Sequence, residues 1–112
     1  MFGKNKSKSV ITWNDLVTSY RANPRDIKTV PKKGSGRWFY VYVVKENIYI
    51  ESARSHSVSS NITVRRTLES HKVGEMLSLY LRRKNGDSVS QEATATTQNQ
   101  VYWYGIFADM GI

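Results

Sequence analysis

Residues 37–44 read Arg-Trp-Phe-Tyr-Val-Tyr-Val-Val, an aromatic and β-branched run with no glycine or proline inside it. Such side chains pack well on a pleated surface, so the run predicts a strand. A short turn at Lys45-Glu46-Asn47 leads into a second run, residues 48–53, and the two predict a hairpin. A two-residue turn at 45–46 sets Val43 opposite Ile48 and Val41 opposite Ile50, and a turn moved by one residue changes the partners but keeps the faces. Side chains alternate along a strand. Phe39, Val41, Val43, Ile48 and Ile50 therefore share one face, and Trp38, Tyr40, Tyr42 and Tyr49 share the other. The rest of the chain must cover at least one of them.

Helices are the natural cover. Trp13, Leu16, Val17 and Tyr20 follow the i, i+3, i+4, i+7 spacing of an apolar stripe, which predicts a helix over Trp13–Ala22. Thr12 is suited to cap it, Asp15 stands where a capping box needs a carboxylate, and Asn23-Pro24 ends it. A second helix is predicted over 71–84, capped by Ser70, with Val73, Met76, Leu77 and Tyr80 as its stripe and Leu81 widening it. Asn85-Gly86 stops it. Residues 24–36, with Pro31 and Gly34-Ser35-Gly36, read as a basic loop, and 54–60 as a polar one. Residues 61–67 read as a third strand, with Ile62 and Val64 inward and Thr63 and Arg65 outward. Ser88 and Gln91 fit a capping box for a short helix over 89–95. Residues 100–107 fit a strand at Val101–Tyr104 or a helix with Trp103, Ile106, Phe107 and Met110 on one face. The longer spacing favours the helix.

The expectation is an α+β fold: a small antiparallel sheet of 3–4 strands, an N-terminal helix, and one to three helices after the third strand. The chain has 112 residues, 39% of them hydrophobic and none of them cysteine. That suits one domain with one modest core, without disulfides or thiolate metal sites. Residues 1–9, with Lys4, Lys6 and Lys8, read as a flexible basic arm, and residues 10–112 as the domain. No run approaches the roughly 18 apolar residues of a membrane span, and no secretion signal is evident. A cytoplasmic, intracellular protein without membrane association is expected.

Charge is distributed unevenly. Residues 1–37 carry nine Lys/Arg against two acids, 38–84 carry eight against four, and 85–112 carry three acids and no Lys or Arg, for a total of +8. A cation concentrated in one part of a chain favours a polyanionic partner, and its bland counterpart is solubility alone. Phosphate contacts are expected from Lys4, Lys6, Lys8, Arg25, Lys28, Lys32, Lys33, Arg37, Arg65, Arg66, Arg82, Arg83 and Lys84.

Base contacts have two candidate sources. Trp38, Tyr40, Tyr42 and Tyr49, with Arg65 beside them, form either a stacking platform for bases or a second core layer beneath a helix. Alternatively, residues 88–95 and 99–109 form a helix-turn-helix that turns Gln98, Asn99, Gln100 and Tyr102 outward to base edges. Trp103, Ile106 and Phe107 suit a core helix better than a reading one.

Catalysis has little to stand on. His56 and His71 lie apart, and Ser55-His56 are neighbours whose side chains diverge. Glu46, Glu51, Glu69, Glu75 and Glu92 do not cluster as a metal nuclease requires. Phosphate-binding glycine patterns are absent. In size and charge the chain resembles small accessory proteins of phage and mobile elements, and no residue is transferred from that resemblance. The expected function is a non-enzymatic nucleic-acid-binding protein needing no cofactor or metal. The alternative is a protein-interaction module or inhibitor whose basic surface meets an acidic or nucleic-acid-binding protein partner.

Overall fold

A computed structural model describes residues 11–112. In chain order the elements are α1 (Trp13–Ala22), β1 (Arg25–Lys28), β2 (Trp38–Val44), β3 (Asn47–Ser52), β4 (Arg66–Thr67), a 3₁₀ turn (Ser70–Lys72), α2 (Val73–Lys84), α3 (Ser90–Thr96) and α4 (Gln100–Asp109). The strands form one antiparallel sheet in the order β1-β2-β3-β4. The expected α+β fold is the one observed.

The hairpin forms with its two-residue turn at 45–46: Val43 faces Ile48, Val41 faces Ile50 and Tyr42 faces Tyr49. Its turn places Lys45 at φ 57°. α1 grips that turn. Trp13 Nε1 donates to the Glu46 carbonyl at 3.0 Å, and Arg21 donates to the Lys45 carbonyl and pairs with the Glu46 carboxylate. The predicted capping box of Thr12 and Asp15 is formed.

Three local expectations need correction. Residues 25–28, read as loop, are the edge strand β1, paired Ile27 to Phe39 and Lys28 to Trp38. Only Ile27 of this strand is buried. One apolar residue makes no visible alternation; the open edge of β2 induces the strand. The predicted strand over 61–67 shrinks to Arg66–Thr67, and Val64 is 77% exposed rather than inward. The cause is Ser52, whose Oγ accepts the Ile62 N–H at 3.1 Å and donates to the Ile62 carbonyl at 3.2 Å. These bonds satisfy Ile62's backbone in place of ladder bonds. Finally, Ser70 does not cap α2, which begins after the 3₁₀ turn, and the Ser88/Gln91 box does not form at α3; neither helix has a side-chain cap bond.

The core lies on one side of the sheet. Phe39, Val41, Ile48 and Ile50 are fully buried beneath Leu16, Val17 and Tyr20 of α1 and Trp103, Ile106 and Phe107 of α4. α2 packs against α4 as a further layer, with the Tyr80 and Phe107 rings 5.4 Å apart. Residues 100–107 are helical, and burial on every side of Tyr102–Phe107 makes α4 a core element. Gly105 permits its close approach: a Cβ there would stand 2.7 Å from the Lys28 carbonyl oxygen. The ends of the fold are clamped by Asp109. Its Oδ2 accepts from the Tyr20 hydroxyl at 2.8 Å and from Arg25 Nη2 at 2.6 Å. Burial, then the Asp109 carboxylate, push the Tyr20 phenol far above its ordinary value.

Candidate functional site

With α1 and α4 on the apolar face, no helix among the described residues covers the other one. The Arg54, Arg65 and His56 side chains rest on its rings instead of a second core layer. Trp38, Tyr40 and Tyr42 alternate along β2, and Tyr49 and Glu51 along β3. Tyr40 faces Glu51 and Tyr42 faces Tyr49. Neighbouring rings lie 5.6 Å apart from Tyr40 to Tyr42 and 5.6 Å from Tyr42 to Tyr49. All four aromatic residues of the platform are half-buried.

Cations interleave with the rings. The Arg54 guanidinium sits 4.0 Å from the centre of Tyr40, and the Arg65 guanidinium 4.0 Å from the centre of Tyr49. Lys28 Nζ lies 5.5 Å from the centre of Trp38. Each is attracted by the electron-rich ring face. Arg65 also donates to the Tyr42 hydroxyl at 3.2 Å, and that hydroxyl donates to Glu51 Oε2. Glu51 Oε1 in turn accepts from Arg54 at 3.4 Å. The Tyr42 hydrogen bond, ahead of the Arg54 contact, lowers the Glu51 carboxyl's pKa despite partial burial.

The loop over 53–60 folds across one end of this face. Its anchor is Asp26 on β1, whose side chain is 2% exposed and accepts from the backbone N–H of Arg54 and Ser55 and from His56 Nδ1 at 2.9 Å. Burial alone would raise the Asp26 carboxyl's pKa, but these donors outweigh it and hold the group below its ordinary value. Arg37 donates to the Ser59 carbonyl at 3.4 Å beside the same loop.

The remaining predicted cations divide into two sets. Lys32 and Lys33 are exposed on the loop after β1. Arg66 is bonded to Asn99 Oδ1 at 3.0 Å. Arg25 belongs to the Asp109 clamp. Arg82 is paired with Glu92 at 2.7 Å and Asp87 at 3.5 Å, Arg83 donates to the Val30 carbonyl, and Lys84 to the Ile112 carbonyl. The 82–84 cluster is thus spent on internal contacts. Lys4, Lys6 and Lys8 lie outside the described residues.

The helix-turn-helix expectation is corrected. Tyr102 is buried edge-on against Phe39, their ring centres 5.0 Å apart, and Asn99 is buried in a network with Arg66, Thr67 and Glu69. Gln100 donates to Thr94 Oγ1 at 3.3 Å, and only Gln98 of the four stands fully exposed. A helix this deeply buried has no face to lay in a groove. Sequence reasoning missed Arg54 and the Asp26–His56 pair. Both depend on a loop doubling back over the sheet, which no local pattern announces. Among the described residues no three His, Asp or Glu side chains gather as a metal site, and no helix is long and apolar enough to cross a membrane.

Compared with protein families, with curated proteins and with solved structures, the chain has no match.

Proposed function

We propose that the protein binds nucleic acid without catalysing a reaction on it, taking a single strand across the outer face of the sheet. The observation that carries this is the row of Trp38, Tyr40, Tyr42 and Tyr49 on one sheet face, interleaved with Lys28, Arg54 and Arg65. Unpaired bases stack on such rings, at about 1–3 kcal/mol per base, while the cations hold phosphates. A duplex hides its base faces and gains only the cations. Arg37, exposed beside Trp38, extends the positive surface beyond that end. His56 now rests on Trp38, and a bound base displaces it from that ring; Arg54 and Arg65 stay beside Glu51 and Tyr42 and turn their free N–H groups to phosphate.

The test is fluorescence anisotropy with labelled single-stranded and duplex DNA and RNA at two salt concentrations. Single strands should bind more tightly than duplex, with log affinity falling linearly in log salt. Absence of binding at low salt, or equal affinity for duplex, overturns the proposal.

One observation favours a second reading, a protein-interaction surface. Val44, Val58 and Val64 are 45%, 56% and 77% exposed, on the outer side of β2 and in the loops beside the platform. Tyrosine, tryptophan and arginine with an apolar rim are also the composition of protein-binding hot spots. Under that reading an acidic protein co-purifies with the chain, and oligonucleotides do not compete with it.

A further inference from the structure

β4 pairs only with Tyr49 and Ile50, so the sheet ends abruptly beside Glu51 and Ser52. Residues 62–65 stand off as a separate wall, tied to the sheet by the Ser52–Ile62 bonds. Between them lies an open groove of about 430 Å³, lined by Glu51, Ser52, Arg54, Ile62, Thr63 and Arg65. That volume is within the roughly 300–1,000 Å³ of small-molecule sites.

The groove is lined by one carboxylate, Glu51, and two guanidiniums, Arg54 and Arg65. A carboxylate on a phosphate-binding face repels the ligand unless it has a use there. Glu51 is held in place: Oε2 accepts from Tyr42, Oε1 accepts from Arg54 at 3.4 Å, and Tyr42 is itself fixed by Arg65 at 3.2 Å. Among the described residues each oxygen has one protein partner, which leaves a lone pair on each for a ligand. Two fixed acceptors side by side match two adjacent N–H donors. Of the common bases only guanine carries that pair on its Watson–Crick edge, at N1 and N2. Adenine, cytosine, thymine and uracil each set a donor beside an acceptor there.

We propose that Glu51 and the groove beside it form a guanine subsite, with the carboxylate accepting from guanine N1–H and N2–H and with Arg54 and Arg65 on the adjoining phosphates. The inference rests on the single-strand reading above. It adds base preference to it. Ile62 supplies the apolar wall beside the base.

The experiment is anisotropy with three labelled oligonucleotides: thymine only, thymine with isolated guanines, and thymine with isolated adenines at the same positions. Isolated guanines cannot form quadruplexes. The wild-type chain should bind the guanine oligonucleotide about tenfold or more tightly than the other two. Glu51→Gln keeps an acceptor for Tyr42 but turns an amide N–H toward the guanine donors. It should erase the preference while binding thymine-only DNA at least as well as wild type, which also shows that the variant is folded. Equal wild-type affinity for all three, or a guanine preference that survives in Glu51→Gln, overturns the subsite and leaves the single-strand reading standing. If the wild type binds none of the three, both fall together.

Discussion

The imidazole of His56 lies flat on the indole of Trp38, their ring centres 3.5 Å apart and their planes 9° apart. This is the geometry of a stacked base, supplied by the chain itself. Asp26 holds it there by accepting from His56 and from two backbone N–H groups of the same loop.

Removing that anchor should free the loop. Asp26→Ala leaves the Arg54 and Ser55 amides without their acceptor, a loss of about 1–3 kcal/mol of local stability. Hydrogen exchange at those two amides should rise roughly tenfold or more at neutral pH, while exchange in β2 holds. Unchanged exchange at Arg54 and Ser55 would show that the loop does not depend on Asp26.

The same contact has a pH sense. The Asp26 carboxyl titrates lower in the folded chain than in the unfolded one. Its contribution is therefore complete above the unfolded carboxylate value and is lost as pH falls through the lower, folded value. The loop should stay latched at neutral pH and open only in acid. Asp26→Asn should remove this acid step from the exchange profile of Ser55, and a step that persists would assign it to another group.

Adjacent residues on opposite faces should respond differently. Phe39 is fully buried, and Phe39→Ala should cost about 3–5 kcal/mol of stability. Tyr40→Ala, on the open face, should cost markedly less and instead weaken oligonucleotide binding. Denaturant titration beside anisotropy separates the two effects. A Tyr40→Ala protein as unstable as Phe39→Ala would make the platform a structural layer.

The Asp109 clamp should matter for stability. Asp109→Asn and Arg25→Ala should each lower stability by about 1.5–3 kcal/mol, because a hydrogen bond to a charged group is lost. The double variant should lose less than the two costs added, since both act on one contact. Additive losses in denaturant titration would mean that the pair is not coupled.

Cations should divide by their present partners. Arg37→Ala should weaken binding to all sequences alike and flatten the salt slope, by about 0.7 per phosphate contact on a single strand. Arg82→Ala should change neither, because Glu92 and Asp87 already hold that side chain. An equal effect from Arg82 would place the strand near α2 rather than on the sheet.

The parts of the fold that were legible in the sequence are those with a long local period. Trp13–Ala22 and the two faces of the hairpin are legible residue by residue, because four apolar positions in a helix and five in a hairpin leave one consistent phase. The aromatic face was legible for the same reason, being the complement of the apolar one. β1 was not, because a single Ile27 carries no period and the strand exists only through pairing with β2. Val64 was placed inward by an alternation that continues through 62–65, where Ser52 takes over the backbone bonds. Ser70 and Ser88 had the chemistry of caps, but α2 and α3 start two or three residues later. Arg54 and His56 reach the site by tertiary folding alone.

The sheet's apolar side has a cover drawn from opposite ends of the sequence, α1 before it and α4 after it. During synthesis β1, β2 and β3 leave the ribosome dozens of residues ahead of Trp103, Ile106 and Phe107. Ile27 and Phe39 are thus without their α4 neighbours through that interval. Stable burial waits for Asp109 to emerge and meet Tyr20 and Arg25. Until then the nascent chain carries a half-covered apolar surface, whose closure depends on contacts between residues distant in sequence.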